Sequence, residues 1–118
     1  MSYEDTFKER TKDYALRVLL AVQRVPGSLI GDVLVKQIVR SATSVGANYR
    51  SACRAKSKPD FIAKLSIALE ECDESEYWVE LLGAMKILGE KECLELRDEG
   101  RQLTAMLTSS IKTARSRS

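Results

Sequence analysis

Histidine is absent from this 118-residue sequence. Its imidazole is the most common general base in enzymes and a common ligand of zinc and other metals. The absence argues against a Ser-His triad, a zinc hydrolase and a di-iron bundle that needs a Glu-x-x-His motif. A glycine-rich phosphate loop is also missing. We therefore expect a protein that binds and assembles rather than an enzyme, with no cofactor and no metal ion.

Turn-forming residues are scarce as well. Only two prolines and six glycines occur, and strand-favouring residues do not cluster anywhere in the chain. A hydrophobic content of 44% is enough, at this length, to bury one core. The composition predicts a single all-α domain over residues 1–118.

Long apolar runs are missing too. None approaches the roughly 20 residues that a transmembrane helix requires. The chain begins with the charged stretch MSYEDTFKERTKDYAL, which is unlike the apolar segment of a signal peptide. We expect a cytoplasmic protein without a membrane partner.

The cysteines lack the spacing of a known framework. Cys53, Cys72 and Cys93 are odd in number, form no CxxC pair and fall inside helical patterns. These features favour buried thiols over a disulfide framework or a zinc site.

Four helices are predicted from apolar periodicity and from start and stop signals. Ser2 and Ser57 precede helical patterns as N-caps, Pro26-Gly27 ends the first helix, and Gly89 separates the last two. The predicted helices span about 3–25, 29–55, 58–88 and 90–114. Since every connection is short, neighbouring helices should pack antiparallel, which gives an up-down-up-down four-helix bundle.

Charge is distributed unevenly along the chain. Residues 33–64 hold seven Lys or Arg against one acid, whereas residues 65–99 hold eleven acids against three bases. Helix two and the connection after it form a basic stripe that can contact nucleic-acid phosphates. Its members are Lys36, Arg40, Arg50, Arg54, Lys56 and Lys58. The alternatives are a solvated face and a contact with the acidic half of helix three in a neighbouring subunit.

Apolar residues cover more than half of helix three, more than one bundle needs to bury. The surplus, together with leucines behind the apolar stripe of helix one, suggests a second buried surface between copies of the chain. The candidate oligomer interface is Leu16, Leu20, Trp78, Leu81 and Met85. The alternative is that helix three simply lies at the centre of its own bundle.

Polar residues interrupt the apolar faces of helices two and three. Glu71 and Glu74 fall within the apolar arc of helix three, and buried carboxylates need hydrogen-bond partners. We predict one largely buried polar network with Arg40 and Ser44 at its edge, and favour it over acid/base catalysis. Its members are Arg40, Ser41, Ser44, Asn48, Glu71 and Glu74. The alternative is that both acids reach solvent at a corner of the bundle.

Two segments, QIVRSATSVGANYRSACRAKS from Gln37 and DFIAKLSIALEECDESEYWVELL from Asp60, carry a family resemblance. They resemble the four-helix-bundle proteins encoded in intervening sequences of bacterial 23S ribosomal RNA genes. Ser51 departs from the pattern, because members commonly have a glutamate there. The most specific matching residues are Arg40, Ser41, Ser44, Asn48, Ser57, Phe61, Ala68, Glu71, Glu74 and Trp78.

The resemblance has implications for assembly and partners. The family is similar in fold to the accessory variability determinant of diversity-generating retroelements, a basic pentameric barrel that binds a reverse transcriptase and nucleic acid. The resemblance therefore implies a homopentamer. Two hypotheses follow: a ribonucleoprotein accessory whose basic face binds ribosomal or other RNA, or an oligomeric scaffold for a protein partner such as a nucleic-acid-processing protein.

Overall fold

The computed structural model describes residues 1–117 as four α-helices and no strand. They are α1 (Tyr3–Gln23), α2 (Leu29–Cys53), α3 (Lys58–Ala84) and α4 (Glu90–Ser116). The bundle measures 50 × 23 × 21 Å. The predicted all-α class is confirmed.

Serine side chains define the first three helix starts. The hydroxyls of Ser2, Ser28 and Ser57 accept hydrogen bonds from backbone N–H groups three residues later, at 3.1, 3.0 and 3.2 Å. Each serine is extended and therefore stands outside the helix that it caps. The three predicted starts agree with these caps.

The end of α3 differs from the prediction. The helix stops at Ala84 instead of continuing to residue 88. Lys86 adopts a left-handed conformation (φ 59°), and the N–H groups of Ile87 and Leu88 both donate to the carbonyl of Leu82. This turn returns Leu88 to the core, where it is buried. Leu88 matches the helical spacing of the apolar residues because it packs in the core, although it lies outside α3.

The helices form a cycle in chain order. Each packs on its sequence neighbours, α1 also packs on α4, and the diagonal pairs α1/α3 and α2/α4 have no close backbone approach. The hydroxyls of Tyr3 and Ser110 lie 3.4 Å apart, which places the start of α1 beside the end of α4. The topology is thus up-down-up-down.

All four helices contribute to one core. Tyr14, Ile38, Leu65 and Leu103 are among its fully buried side chains. Cys72 and Cys93 are buried, Cys53 is half-buried, and all three are free thiols. None of the four helices carries an apolar stretch sufficient to cross a lipid bilayer.

The helices α1 and α2 approach closely at Gly46. A Cβ atom at this position would lie 3.0 Å from Oγ1 of Thr11, which is fully buried. The glycine therefore permits close packing of the two helices, as its place within a helical pattern indicates.

Candidate nucleic-acid interface

One end of the bundle collects basic side chains from three helices and a connection. The end of α2, the α2–α3 connection and the end of α4 meet there, and the Lys58 ammonium donates to the carbonyl of Arg117. The predicted residues Arg50, Arg54, Lys56 and Lys58 are all exposed at this end. Three further exposed bases come from α4 and the residue after it: Lys112, Arg115 and Arg117. We call these seven residues the basic end.

The bases of this end differ from several bases along the sides of the bundle, which are paired with carboxylates. Within residues 1–117, none of the seven lies in an ion pair with a carboxylate. By contrast, Arg10 lies 2.7 Å from Glu99, and Arg24 lies 2.8 Å from Glu92. Among residues 1–117, the basic end therefore presents positive charge that is not held in ion pairs with carboxylates.

The remainder of the predicted basic stripe is separate. Lys36 is exposed, but it lies 14 residues before Arg50 on the same helix, about 21 Å along the axis. Arg40 is paired with Glu71 at 2.8 Å and with Glu74. Its guanidinium is therefore engaged within the chain, and the six predicted bases do not form one continuous surface.

The predicted polar network takes a different form in the structure. Arg40 joins Glu71 to Glu74 within one chain, at an edge where the Arg40 side chain is 50% exposed and that of Glu71 is 19% exposed. In the single chain the two glutamates are half-buried, with side chains 19% and 37% exposed, and Arg40 lies at the solvent edge of the cluster. The glutamates meet their counterion at the border between α2 and α3.

The α2 members of that network bond to their own helix. The side chains of Ser41, Ser44 and Asn48 donate to carbonyls four residues earlier, at 2.9, 2.7 and 2.9 Å. Serine and asparagine in helices commonly satisfy their polar groups in this way. They need no glutamate partner, which explains why the expected link from Asn48 to α3 does not form.

A second group of hydrogen-bonded polar side chains lies in the core, and it was not predicted. The hydroxyls of Tyr14 and Ser75 lie 2.7 Å apart, and Ser75 donates to the Cys72 carbonyl. Thr104 donates to Glu76 at 3.1 Å, while a Cβ at Gly100 would lie 2.8 Å from Cγ of Glu76. The signal in the sequence was a serine and a glycine at core positions of α3 and α4.

Burial determines the ionisation of the side chains in this second polar group. It raises the pKa of Glu76, and the Thr104 hydrogen bond opposes the shift. It also raises the pKa of the Cys72 thiol to about 11 and that of the Tyr14 phenol well above its usual value. Tyr14 and Cys72 are therefore neutral structural groups at physiological pH.

The candidate interface residues occupy two different sides of the bundle. Leu16 and Leu20 are exposed on α1, whereas Met85 is exposed just after α3. Trp78 and Leu81 are half-buried on α3 and pack against the core. Since α1 and α3 lie diagonally, the five residues form two apolar patches and not one. We call them the α1 patch and the α3 patch.

No curated protein matches the chain with significant similarity. A crystal structure of a protein of unknown function from the S23 ribosomal protein family of Bacteroides thetaiotaomicron is similar to it, with 34% identity and a TM-score of 0.87. The match covers 94% of this chain and 99% of that one.

The family comparison matches residues 6–109 to the model described as 23S rRNA-intervening sequence protein. These residues span most of α1, all of α2 and α3, and most of α4. The resemblance expected from the segments beginning at Gln37 and Asp60 is therefore confirmed, and the chain belongs to the family of 23S rRNA-intervening sequence proteins.

Proposed function

We propose that this protein is a non-catalytic, homo-oligomeric RNA-binding protein that contacts RNA phosphates through its basic end. The observation that carries the proposal is the concentration, at one end of the bundle, of exposed bases that form no ion pair within residues 1–117. Such cations bind phosphates and release the counterions that surround a nucleic acid.

The opposite end of the bundle carries carboxylates that favour one orientation of a bound RNA. Glu90 and Glu95 are exposed near the α3–α4 connection and lie in no ion pair within residues 1–117. Their charges disfavour phosphates at this end. The family name refers to 23S ribosomal RNA, which makes RNA the nucleic acid to test first.

Charge reversal tests the role of the basic end. We expect Arg50→Glu with Arg54→Glu to weaken binding to a ribosomal RNA fragment by about tenfold or more, because two phosphate contacts become repulsive. The affinity of the parent should also fall steeply with salt concentration. Fluorescence anisotropy with labelled RNA over a salt series measures both quantities.

The matched control is Lys86→Glu with Lys91→Glu. These exposed lysines lie near the α3–α4 connection, at the opposite end of the bundle, and the control changes the net charge by the same amount. It should leave the affinity close to that of the parent. An equal loss in the two double variants, or no binding by the parent at low salt, would contradict the proposal.

Assembly is supported by the two apolar patches. The α1 patch and the α3 patch are unlike surfaces on different sides of one bundle, so the first can pack against the second in a neighbour. Repetition of such a head-to-tail contact gives a ring when the rotation between neighbours closes, and an open filament otherwise. The family resemblance favours a ring of five.

A scaffold that binds a protein partner is the second candidate. It is favoured by Leu29, Ile30 and Val33, which are exposed together in the first turns of α2. A complex formed through these residues should persist when salt is raised, since apolar contacts are not screened. A salt-resistant protein complex in a chain that binds no RNA would favour this candidate.

A further inference from the structure

The basic end contains two adjoining clefts. Their volumes are about 370 and 360 Å³, and both are bordered by Phe61 and Arg117. The second cleft is also lined by Glu4, whose carboxylate disfavours a phosphate ligand. Among residues 1–117, those that line the first cleft include no acidic side chain. It is therefore the cleft that suits an anionic chain.

The lining of the first cleft combines an aromatic ring with hydroxyls and a cation. It includes Tyr3, Phe61, Ser109, Ser110, Thr113 and Arg117. Aromatic rings of this kind stack with nucleobases, and hydroxyls can donate to or accept from base edges. We call it the Tyr3 cleft.

Tyr3 is held in one orientation although it is exposed. Its ring is nearly parallel to that of Phe7, with centroids 6.1 Å apart, and its hydroxyl lies 3.4 Å from the hydroxyl of Ser110. Its relative exposure is 56%. An accessible aromatic ring that is already positioned loses little conformational entropy when a base stacks on it.

We propose that the Tyr3 cleft binds an unpaired base of single-stranded RNA, an inference that rests on the proposed RNA-binding function. The base stacks on Tyr3 above the half-buried Phe61, and the hydroxyls of α4 contact its edge. Lys58, Lys112 and Arg115 hold the flanking phosphates. In duplex RNA the base faces are covered by their neighbours, so the cleft selects single strands.

Three variants test the ring directly. Tyr3→Ala should weaken binding to a single-stranded oligoadenylate by about 5- to 150-fold, the effect of losing one stacked base. Tyr3→Phe keeps the ring and its packing on Phe7 but loses the hydroxyl near Ser110, so it should bind much more tightly than Tyr3→Ala. Tyr77→Ala is the matched control, since Tyr77 is equally exposed, at 53%, but lies in the second half of α3. Circular dichroism verifies that each variant is folded.

A second measurement does not depend on the variants. A fluorescent adenine analogue within the single strand should lose emission when the parent binds, because stacking quenches it. A matched duplex RNA should bind more weakly and leave its analogue unquenched by the protein.

The possible failures are distinguishable. If the parent binds RNA but Tyr3→Ala and Tyr77→Ala behave alike, and the analogue is not quenched, the base-binding inference is wrong and phosphate binding by the basic end stands. If the parent binds neither strand form at low salt, both the inference and the proposed function are wrong.

Discussion

Individual residues determine how closely the helices approach. Gly46 of α2 faces Thr11 of α1, which is fully buried, and a Cβ at residue 46 would lie 3.0 Å from Oγ1 of Thr11. A larger side chain at residue 46 must therefore push the two helices apart. Close packing against Thr11, and not a need for flexibility, accounts for a glycine in the interior of α2.

Substitution of this glycine gives a stability prediction. We expect Gly46→Val to lower the free energy of unfolding by about 1–3 kcal/mol, because overpacking outweighs the gain in helix propensity. Urea denaturation followed by circular dichroism measures the change. Ala47→Val is the control, since Ala47 is exposed beside it and should cost less than about 1 kcal/mol. Equal effects at both positions would show that the contact with Thr11 is not restrictive.

At the scale of the helices, the starts depend on local hydrogen bonds. The Ser57 hydroxyl accepts the N–H of Asp60 at 3.2 Å and satisfies one of the unpaired groups at the start of α3. Pro59 follows in the first turn, where its missing N–H does no harm. This start was predictable because all of its determinants lie within four residues.

Removal of that cap should destabilise the protein. We expect Ser57→Ala to lower the free energy of unfolding by about 0.5–2 kcal/mol, since a backbone N–H loses its acceptor. Ser66→Ala is the matched control, because the Ser66 hydroxyl only donates to a carbonyl of its own helix at 2.8 Å. Thermal denaturation compares the two variants, and a Ser57→Ala transition no lower than that of Ser66→Ala would contradict the capping role.

Features that depend on distant residues were predicted less well. The pairing of Arg40 with Glu71 and Glu74 followed from their positions, but its exposure depends on how α2 and α3 are rotated against each other. The contribution of α4 to the basic end was missed because Lys58 and Arg117 are 59 residues apart in sequence. Neither helical periodicity nor local charge reports such a contact.

At the scale of the whole molecule, the basic end and the two apolar patches lie apart along the long axis. The seven bases lie at one end, whereas Leu20 and Met85 lie toward the other. In the proposed assembly, neighbouring copies cover the α1 and α3 patches and leave the basic end open to RNA. Side-by-side assembly would place the basic ends on one rim.

The head-to-tail contact predicts a specific complementation. Leu20→Glu disables the α1 patch and Met85→Glu disables the α3 patch, so each variant alone should be monomeric. A mixture of the two should form a one-to-one dimer, because each retains the patch that the other lacks. Native mass spectrometry measures the species, with Leu94→Glu as a control on α4.

The oligomeric state of the parent protein is a further test of the assembly. A monomeric parent at micromolar concentration would contradict the assembly, and a parent ring of another size would contradict only the pentamer. A mixture that stays monomeric would show that the two patches do not pack against each other.

The position of Trp78 allows subunit assembly and RNA binding to be monitored separately. It is the only tryptophan of the chain, and it lies on α3 about 26 Å along the helix from Phe61 at the Tyr3 cleft. Its indole Nε1 is buried and lacks an acceptor within residues 1–117. Intrinsic emission therefore monitors the α3 patch, where subunits would meet, while an emitter placed in the RNA monitors the basic end. Assembly and RNA binding can be followed in one cuvette at two wavelengths, without attaching a dye to the protein.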